Sequence, residues 1–200
     1  MRTRAAVPGR PPLAVLVSGA PGSGKSTLAH ALALGLDVPV LHKDDLVHGI
    51  WRTRDRAMDL GAPGVEPFYR TMELWLDLGV SFVAEQTFYR GVSEPDVATR
   101  LGDRSVLVNV HCRSRCATER FEQRMRQDPL CGDERLRKLL PIAESLQAEL
   151  YEPLELSCPV VIVDTDNGCV PSLESVISAI DHLYSRPSVH DLDRAPSAPE

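Results

Sequence analysis

Five largely apolar runs of four to six residues divide the chain, and longer stretches with helical spacing lie between them. The runs are at 13–17, 38–41, 80–84, 105–110 and 159–163. Short apolar runs bounded by turn residues are typical of buried strands. Because these strands alternate with helices, we expect a parallel sheet with helices on both of its faces.

The helical stretches complete this pattern. The clearest is 66–78, where Phe68, Met72, Trp75 and Leu76 recur at helical spacing. The other helices are expected at 28–34, from about Asp45, at 93–101, at 114–127, onward to about 151 with a break at Pro141, and from a Ser172 cap to 183.

The chain of 200 residues is long enough for one domain with a full core. We expect a flexible segment at 1–12, a single domain at 13–184, and a disordered tail at 185–200. The tail is rich in Pro, Ser and Asp and poor in the apolar residues that a core needs.

A glycine-rich loop follows the first strand and fits the phosphate-binding pattern G-x-x-x-x-G-K-[ST]. Its residues are Gly19, Ala20, Pro21, Gly22, Ser23, Gly24, Lys25, Ser26 and Thr27. The glycines let backbone N–H groups surround anionic oxygens, and the next helix directs its positive end at them. We expect Lys25 to bridge the β- and γ-phosphates of ATP and the Ser26 hydroxyl to bind Mg²⁺. A chance turn before a helix is the alternative, and the flanking strand and helix disfavour it.

Ligands in parallel sheets bind at the carboxyl ends of the strands, so the residues after each strand are informative. Asp44 and Asp45 follow the second strand. A kinase acting on a hydroxyl needs a carboxylate near the γ-phosphate to accept the proton. We assign that role to Asp44, since Asp45 is predicted to be the start of the next helix. The alternative is that both residues cap that helix.

Other strand ends supply further candidates. Glu85 follows the third strand and can hold a Mg²⁺-bound water or orient the substrate, with Arg90 just beyond as a second substrate-binding residue. The alternative for Glu85 is a solvated strand end. Thr165 lies in a polar turn after the fifth strand, near the expected position of adenine, where backbone contacts would suffice.

An arginine-rich helix follows the fourth strand. Arg120 and Arg124 are four residues apart and so share one face. Arginines from a mobile lid, here about 113–137, can stabilise the charge that develops on the γ-phosphate. The alternative is a solvated face that pairs with Glu119 and Glu122.

The composition limits the classes of partner and the cellular compartment that we expect for the protein. The net charge of -6 disfavours general nucleic-acid binding. The five cysteines are scattered without a C-x-x-C pair, which predicts free thiols in a reducing cytoplasm. We expect no signal peptide and no membrane span, because no run has the required length and apolarity. Oligomeric state is left open.

Several segments together resemble the small P-loop kinases: the glycine-rich loop, V-L-H-K-D-D-L, F-V-A-E-Q-T-F, the Arg120 helix and V-I-V-D-T-D. The nearest group is that of zeta toxins and chloramphenicol-phosphotransferase-like enzymes, which are ATP-dependent small-molecule kinases. The resemblance implies a P-loop NTPase fold of the nucleoside-kinase-like type. That fold has three layers, a five-stranded parallel sheet in the order 2-3-1-4-5, and a helical lid after the fourth strand.

The resemblance also implies roles. Asp44 matches the group's general base, Lys25 and Ser26 its triphosphate and Mg²⁺ residues, and Glu85 the acid that ends the third strand. The lid or sensor arginines match Arg120 and Arg124. Two departures stand out: E-Q-T-F-Y-R replaces the D-G-F-P-R of adenylate kinases, which disfavours a nucleoside monophosphate acceptor, and His111-Cys112 stands where an acidic residue is frequent.

These features predict an ATP- and Mg²⁺-dependent kinase that transfers the γ-phosphate to a hydroxyl group of a small molecule. The acceptor could be an antibiotic, a sugar nucleotide or another metabolite. Two alternatives stay open: a zeta-like toxin or polynucleotide 5′-hydroxyl kinase, and a non-catalytic regulatory protein that binds nucleotide.

Overall fold

The computed structural model describes residues 9–51, 61–127 and 148–185. The strands are β1 (Leu13–Gly19), β2 (Val40–His42), β3 (Phe82–Glu85), β4 (Val106–Arg113) and β5 (Val160–Asp164). The α-helices are α1 (Lys25–Leu36), α2 (Lys43–Trp51), α3 (Gly61–Asp77), α4 (Glu94–Leu101), α5 (Ala117–Gln127) and α6 (Leu173–Ser185). Short 3₁₀ turns lie at Gly102–Arg104 and Ala148–Tyr151.

The five strands form one parallel sheet in the order β2-β3-β1-β4-β5, which confirms the expected order. β1 is the central strand, and all seven of its residues are buried. Continuous burial of this kind is the rule for a parallel strand that is covered on both faces. The carboxyl end of β1, where the glycine-rich loop begins, therefore lies in the middle of the sheet.

Alternate residues of β1 point into two separate cores, as a strand's period of two requires. Val15 and Val17 pack with residues of α1 and α6 on one face. Ala14 and Leu16 pack with residues of α3 and α4 on the other face. Helices thus cover both sides of the sheet, which confirms the three-layer α/β architecture.

The strands extend further toward their carboxyl ends than the apolar runs predicted. Glu85 belongs to β3, and β4 continues to Arg113, because the backbone pairing between strands does not depend on apolar side chains. α2 begins at Lys43 rather than near Asp45, so Asp44 and Asp45 both lie in its first turn. The reason for separating these two aspartates was therefore wrong.

The described ends of the domain are anchored. The Pro12 carbonyl accepts a hydrogen bond from the Val106 N–H at 2.8 Å, and the Tyr184 hydroxyl donates to the Pro11 carbonyl at 3.3 Å. The C-terminal end of the segment expected to be flexible, at Pro12, is thus hydrogen-bonded to the sheet. Residues 1–8, the helical stretch expected at 128–147, the far part of the lid and the tail beyond Ser185 lie outside the described residues.

The state of the cysteines and the apolarity of the helices bear on the environment of the protein. Cys112, Cys116, Cys158 and Cys169 are free thiols, and Cys131 lies outside the described residues. Among the helices of the described ranges, none combines the length and the apolarity that crossing a bilayer requires.

Candidate functional site

The glycine-rich loop joins β1 to α1 without an intervening residue. Gly22 and Gly24 have φ angles of 81° and 87°, a region that favours glycine over residues with a Cβ atom. Gly24 is the N-cap of α1, so the first N–H groups of that helix open into the loop. A helix N-terminus behind a curled backbone is a site for anionic oxygens.

The loop is also packed against the start of α5. A Cβ atom on Gly22 would lie 2.0 Å from the Ala117 carbonyl oxygen, and one on Gly19 would lie 2.4 Å from that of Cys112. A side chain at either position would force the backbone to shift, since real Cβ atoms essentially never come closer than 3.0 Å to another heavy atom. α5, which lies in the region predicted to form a lid, therefore begins directly on the glycine-rich loop.

Lys25 is the first residue of α1 and is only 6% exposed. Its Nζ donates to the Ala20 carbonyl at 2.9 Å, across the mouth of the loop. Burial lowers the pKa of Lys25, and the nearby Glu85 carboxylate partly offsets that effect. The Nζ atom is thus held close to the loop, where it can meet a phosphate oxygen.

Ser23 adds an independent sign that the loop takes a ligand. Within the described part of the chain, its hydroxyl oxygen is buried and has no hydrogen-bond partner. Buried polar atoms in native proteins are nearly always paired, so an unpaired one needs an explanation. A phosphate oxygen in the loop would supply the partner, and the residues present therefore fit a polyphosphate.

Glu85 lies against the other serine of the loop. Its Oε2 accepts hydrogen bonds from the Ser26 hydroxyl at 3.1 Å and from His42 Nδ1 at 3.0 Å. Burial acts to raise the pKa of Glu85, but the His42 bond and the Lys25 charge outweigh it and the pKa is lowered. Glu85 is therefore ionised at neutral pH beside the hydroxyl predicted to bind Mg²⁺.

Asp44 lies in the first turn of α2 and is exposed. Its charge acts to raise the pKa of Lys25, of His42 and of Tyr89, although burial keeps the pKa of Lys25 below its ordinary value, so the carboxylate lies within electrostatic reach of all three. A carboxylate in the first turn also stabilises the helix through the helix dipole. The location thus supports the proton-acceptor hypothesis and also the capping alternative.

The two arginines predicted to act from a lid have different contacts. Arg120 donates to the carbonyl oxygens of Thr165, at 3.2 and 3.3 Å, and of Asp166, at 3.2 Å. Arg124 lies over the Phe121 ring, and its charge acts to lower the pKa of Lys25. The charge of Arg124 therefore reaches the loop lysine, and the guanidinium of Arg120 holds the turn after β5.

Thr165, predicted to lie near the adenine, contacts the glycine-rich loop through its side chain. Its hydroxyl oxygen is 2.7 Å from the Ser23 carbonyl and 3.1 Å from that of Arg113, and both can accept its hydrogen. Arg90, the other predicted substrate residue, forms an ion pair with Glu155. Its backbone N–H also donates to the Leu150 carbonyl at 2.9 Å, so the described contacts of Arg90 join it to the Ala148–Tyr151 turn and to the segment after it.

Two groups of site residues were missed by sequence reasoning. One is His42, which precedes Asp44 by two residues and would have been found by extending β2 to its true end. The other is a buried chain in which Asn109 Nδ2 donates to the Ser18 hydroxyl at 2.9 Å and Ser18 lies 3.0 Å from His111 Nδ1. Burial lowers the pKa of His111 to about 4, so a neutral imidazole supports the strand end that precedes Gly19.

Comparison with known proteins extends this picture. Residues 15–140 match the family described as the AAA domain, which is more than half of the chain. No curated protein matches the chain in sequence.

Solved structures share the fold over nearly all of the chain. A Chloroflexus aurantiacus protein described as a "putative kinase" is 25% identical, with a TM-score of 0.71, over 86% of this chain and 98% of its own. A gluconokinase from Sinorhizobium meliloti is 18% identical, with a TM-score of 0.57, over 88% and 95%. The Mycobacterium tuberculosis APS kinase, in complex with AMPPNP and APS, is 18% identical, with a TM-score of 0.53, over 88% and 99%. The architecture is that of the P-loop kinases.

Proposed function

The chain belongs to the AAA domain family, and from that premise we propose that it is a kinase that transfers the γ-phosphate of ATP to a hydroxyl group of a small molecule. One observation carries the proposal. The Glu85 carboxylate accepts a hydrogen bond from the Ser26 hydroxyl of the phosphate loop at 3.1 Å, and the charges of Glu85, Asp44 and Arg124 reach the loop lysine, Lys25. Two carboxylates and a guanidinium within reach of the loop lysine are groups that phosphoryl transfer can use.

The donor side would hold ATP by its phosphates. The loop amides and the N-terminus of α1 accept the negative oxygens, and the Lys25 ammonium can turn from the Ala20 carbonyl to a phosphate. The turn at Thr165 and Asp166, which Arg120 holds through backbone carbonyls, offers backbone groups for the adenine.

The metal side would use few protein ligands. The described residues contain no group of three or more His, Cys, Asp or Glu side chains that could hold an ion. Mg²⁺ commonly keeps several waters and takes one or two protein ligands plus substrate phosphates. Ser26 would supply its hydroxyl, and Glu85 would accept hydrogen bonds from a metal-bound water. When bound, the ion supplies positive charge that offsets the charge developing on the β- and γ-phosphates.

Asp44 would act on the acceptor. As the acceptor hydroxyl oxygen forms its bond to the γ-phosphorus, the bond from that phosphorus to the β–γ bridging oxygen breaks, and Asp44 takes the hydroxyl proton. Lys25 and Arg124 stabilise the charge that spreads over the phosphoryl oxygens. The products are ADP and the phosphorylated acceptor.

The acceptor class follows from the residues around Asp44. The replacement of D-G-F-P-R by E-Q-T-F-Y-R after the alanine of β3 disfavours a nucleoside monophosphate. Within the small P-loop kinases we place the chain in the zeta-toxin and chloramphenicol-phosphotransferase-like group, on the basis of its resemblance in the V-L-H-K-D-D-L segment. An antibiotic, a sugar nucleotide or another metabolite with a free hydroxyl is the expected acceptor.

The test is a screen of hydroxyl compounds with purified protein, ATP and Mg²⁺, read by mass spectrometry. We expect one class of compound to gain the mass of a phosphoryl group while ATP is converted to ADP. Tight ATP binding without transfer to any compound would contradict the proposal and favour a regulatory nucleotide-binding protein.

A further inference from the structure

We propose that His42 is a positioning residue that holds the Glu85 carboxylate against Ser26 and so builds the protein part of the Mg²⁺ site. The inference rests on the proposed function, and it concerns a residue that the phosphate-loop pattern does not contain. Three independent features of the described residues support it: strand register, hydrogen-bond geometry and burial.

Strand register brings the two side chains together. His42 is the last residue of β2, Glu85 is the last residue of β3, and the two are partners in the parallel pairing of these strands. Partnered residues of adjacent strands point to the same face of a sheet. The sheet itself therefore places the imidazole beside the carboxylate, at the edge where the loop begins.

Hydrogen-bond geometry then fixes which way the carboxylate faces. Both donors, His42 Nδ1 at 3.0 Å and the Ser26 hydroxyl at 3.1 Å, bind the same oxygen, Oε2. A carboxylate held by two donors on one oxygen has little freedom to rotate about its terminal bond. Oε2 is thus kept at Ser26, the residue predicted to contact the metal.

Burial makes the Glu85 carboxylate depend on its hydrogen-bond donors. The Glu85 side chain is 8% exposed and that of His42 is 17% exposed, so water compensates little for a lost partner. An ionised carboxylate at such a site needs paired donors. Without His42, the strongest remaining attraction on Glu85 is the Lys25 charge, which already lowers its pKa. A carboxylate turned toward Lys25 would leave Ser26, and the acceptor for a metal-bound water would be lost from that position.

Outer groups of this kind have measurable effects. Removing a residue that orients a metal-site ligand costs about 10- to 100-fold in metal affinity or activity. The expected defect is therefore selective: the metal-dependent part of nucleotide affinity falls, while the metal-free part, which depends on the loop amides and Lys25, is retained.

The test is calorimetric titration of the protein with AMPPNP, once in EDTA and once in Mg²⁺. The ratio of the two affinities is the magnesium gain. In His42→Leu we expect this gain to fall about tenfold or more, with the EDTA affinity within about twofold of the wild-type value. In His42→Asn we expect most of the gain to remain, because Asn Nδ2 lies as many bonds from Cβ as His Nδ1 does. His30→Leu, at an exposed position of α1, is the matched control and should keep the full gain.

An undiminished magnesium gain in His42→Leu would overturn the inference. If both affinities stayed at the wild-type value, His42 would have no role in nucleotide binding, and if both fell equally, its role would be a general structural one. If His42→Leu does not fold, His42→Asn and His42→Gln decide: Gln extends the donor by one bond and should lose the gain that Asn keeps, and equal gains would refute the idea. A wild-type protein that binds no AMPPNP at all would refute the proposed function instead.

Discussion

The two sides of the candidate site are built in different ways. On the donor side, Lys25 and Glu85 are each 6% exposed and belong to a loop and a strand in the middle of the sheet. On the acceptor side, Asp44 is exposed on the first turn of α2, next to the edge strand β2. Charges that are buried and paired keep one geometry, whereas an exposed carboxylate gains its full effect only when a substrate excludes water.

This difference explains why the phosphate donor can be proposed in more detail than the phosphate acceptor. In the proposed reaction, backbone groups and a contiguous motif would hold ATP, and many proteins share both. The acceptor must be held by side chains from several separate elements. The largest effects of substitution are therefore expected on the donor side.

Replacement of Lys25 should have the largest effect. Lys25→Met keeps the length and the burial of the side chain but removes the ammonium that can meet the phosphates. We expect phosphoryl transfer to fall by about 10²–10³-fold, the usual cost of removing one charge-stabilising group. Steady-state assays with the acceptor from the screen measure this effect. A rate within a few-fold of the wild-type value would remove Lys25 from the proposed mechanism.

A methyl group on Gly22 should break the contact between loop and lid. Gly22→Ala places a Cβ atom 2.0 Å from the Ala117 carbonyl and requires a φ near 81°. We expect a loss of about 2 kcal/mol or more in the free energy of unfolding, together with weakened AMPPNP binding. Urea unfolding and calorimetry measure the two effects.

Gly79→Ala is the matched control for this variant. Gly79 has a φ of 72°, but a Cβ atom added there would have no neighbouring atom within 4 Å, so this position reports the backbone strain alone. We expect a cost of about 1 kcal/mol at this position and unchanged nucleotide binding. Equal losses in the two variants would show that α5 does not pack on the loop as described.

The His111 network should make stability depend on pH. The pKa of His111 is about 4 in the folded protein and near 6.5 when the histidine is free in the unfolded chain. Between these values the unfolded state binds more protons, so the free energy of unfolding decreases as pH falls, by at most about 1.4 kcal/mol per pH unit. His111→Asn keeps an acceptor for Ser18 but does not titrate, so this part of the slope should disappear. Urea unfolding at pH 7, 6 and 5 measures it, and identical slopes would contradict the assignment.

The fold and the phosphate loop could be predicted because their signals are local. Each strand is an apolar run, and the loop is nine consecutive residues between a strand and a helix. The strand order 2-3-1-4-5 came with the family resemblance and is confirmed by the sheet.

The contacts of the site could not be predicted because they join distant residues. Glu85 is separated by 59 positions from Ser26 and by 43 from His42, and only the strand register brings them together. Arg120 and Arg124 are equivalent on a helical wheel, yet their contacts differ because the turn after β5 lies beside one of them. Periodicity shows which face a residue shares and carries no information about what lies opposite that face.

The most direct test of the central claim compares Asp44→Asn with Asp45→Asn. The two residues are neighbours in the first turn of α2, and both are exposed, so helix capping and local charge are closely matched. The proposed proton-acceptor role predicts that Asp44→Asn lowers phosphoryl transfer by about 10²–10⁴-fold. AMPPNP affinity should stay within about twofold, and Asp45→Asn should transfer at the wild-type rate. Equal effects in the two variants, or a loss of AMPPNP binding in Asp44→Asn, would contradict the assignment of Asp44 as the group that joins the donor and acceptor sides.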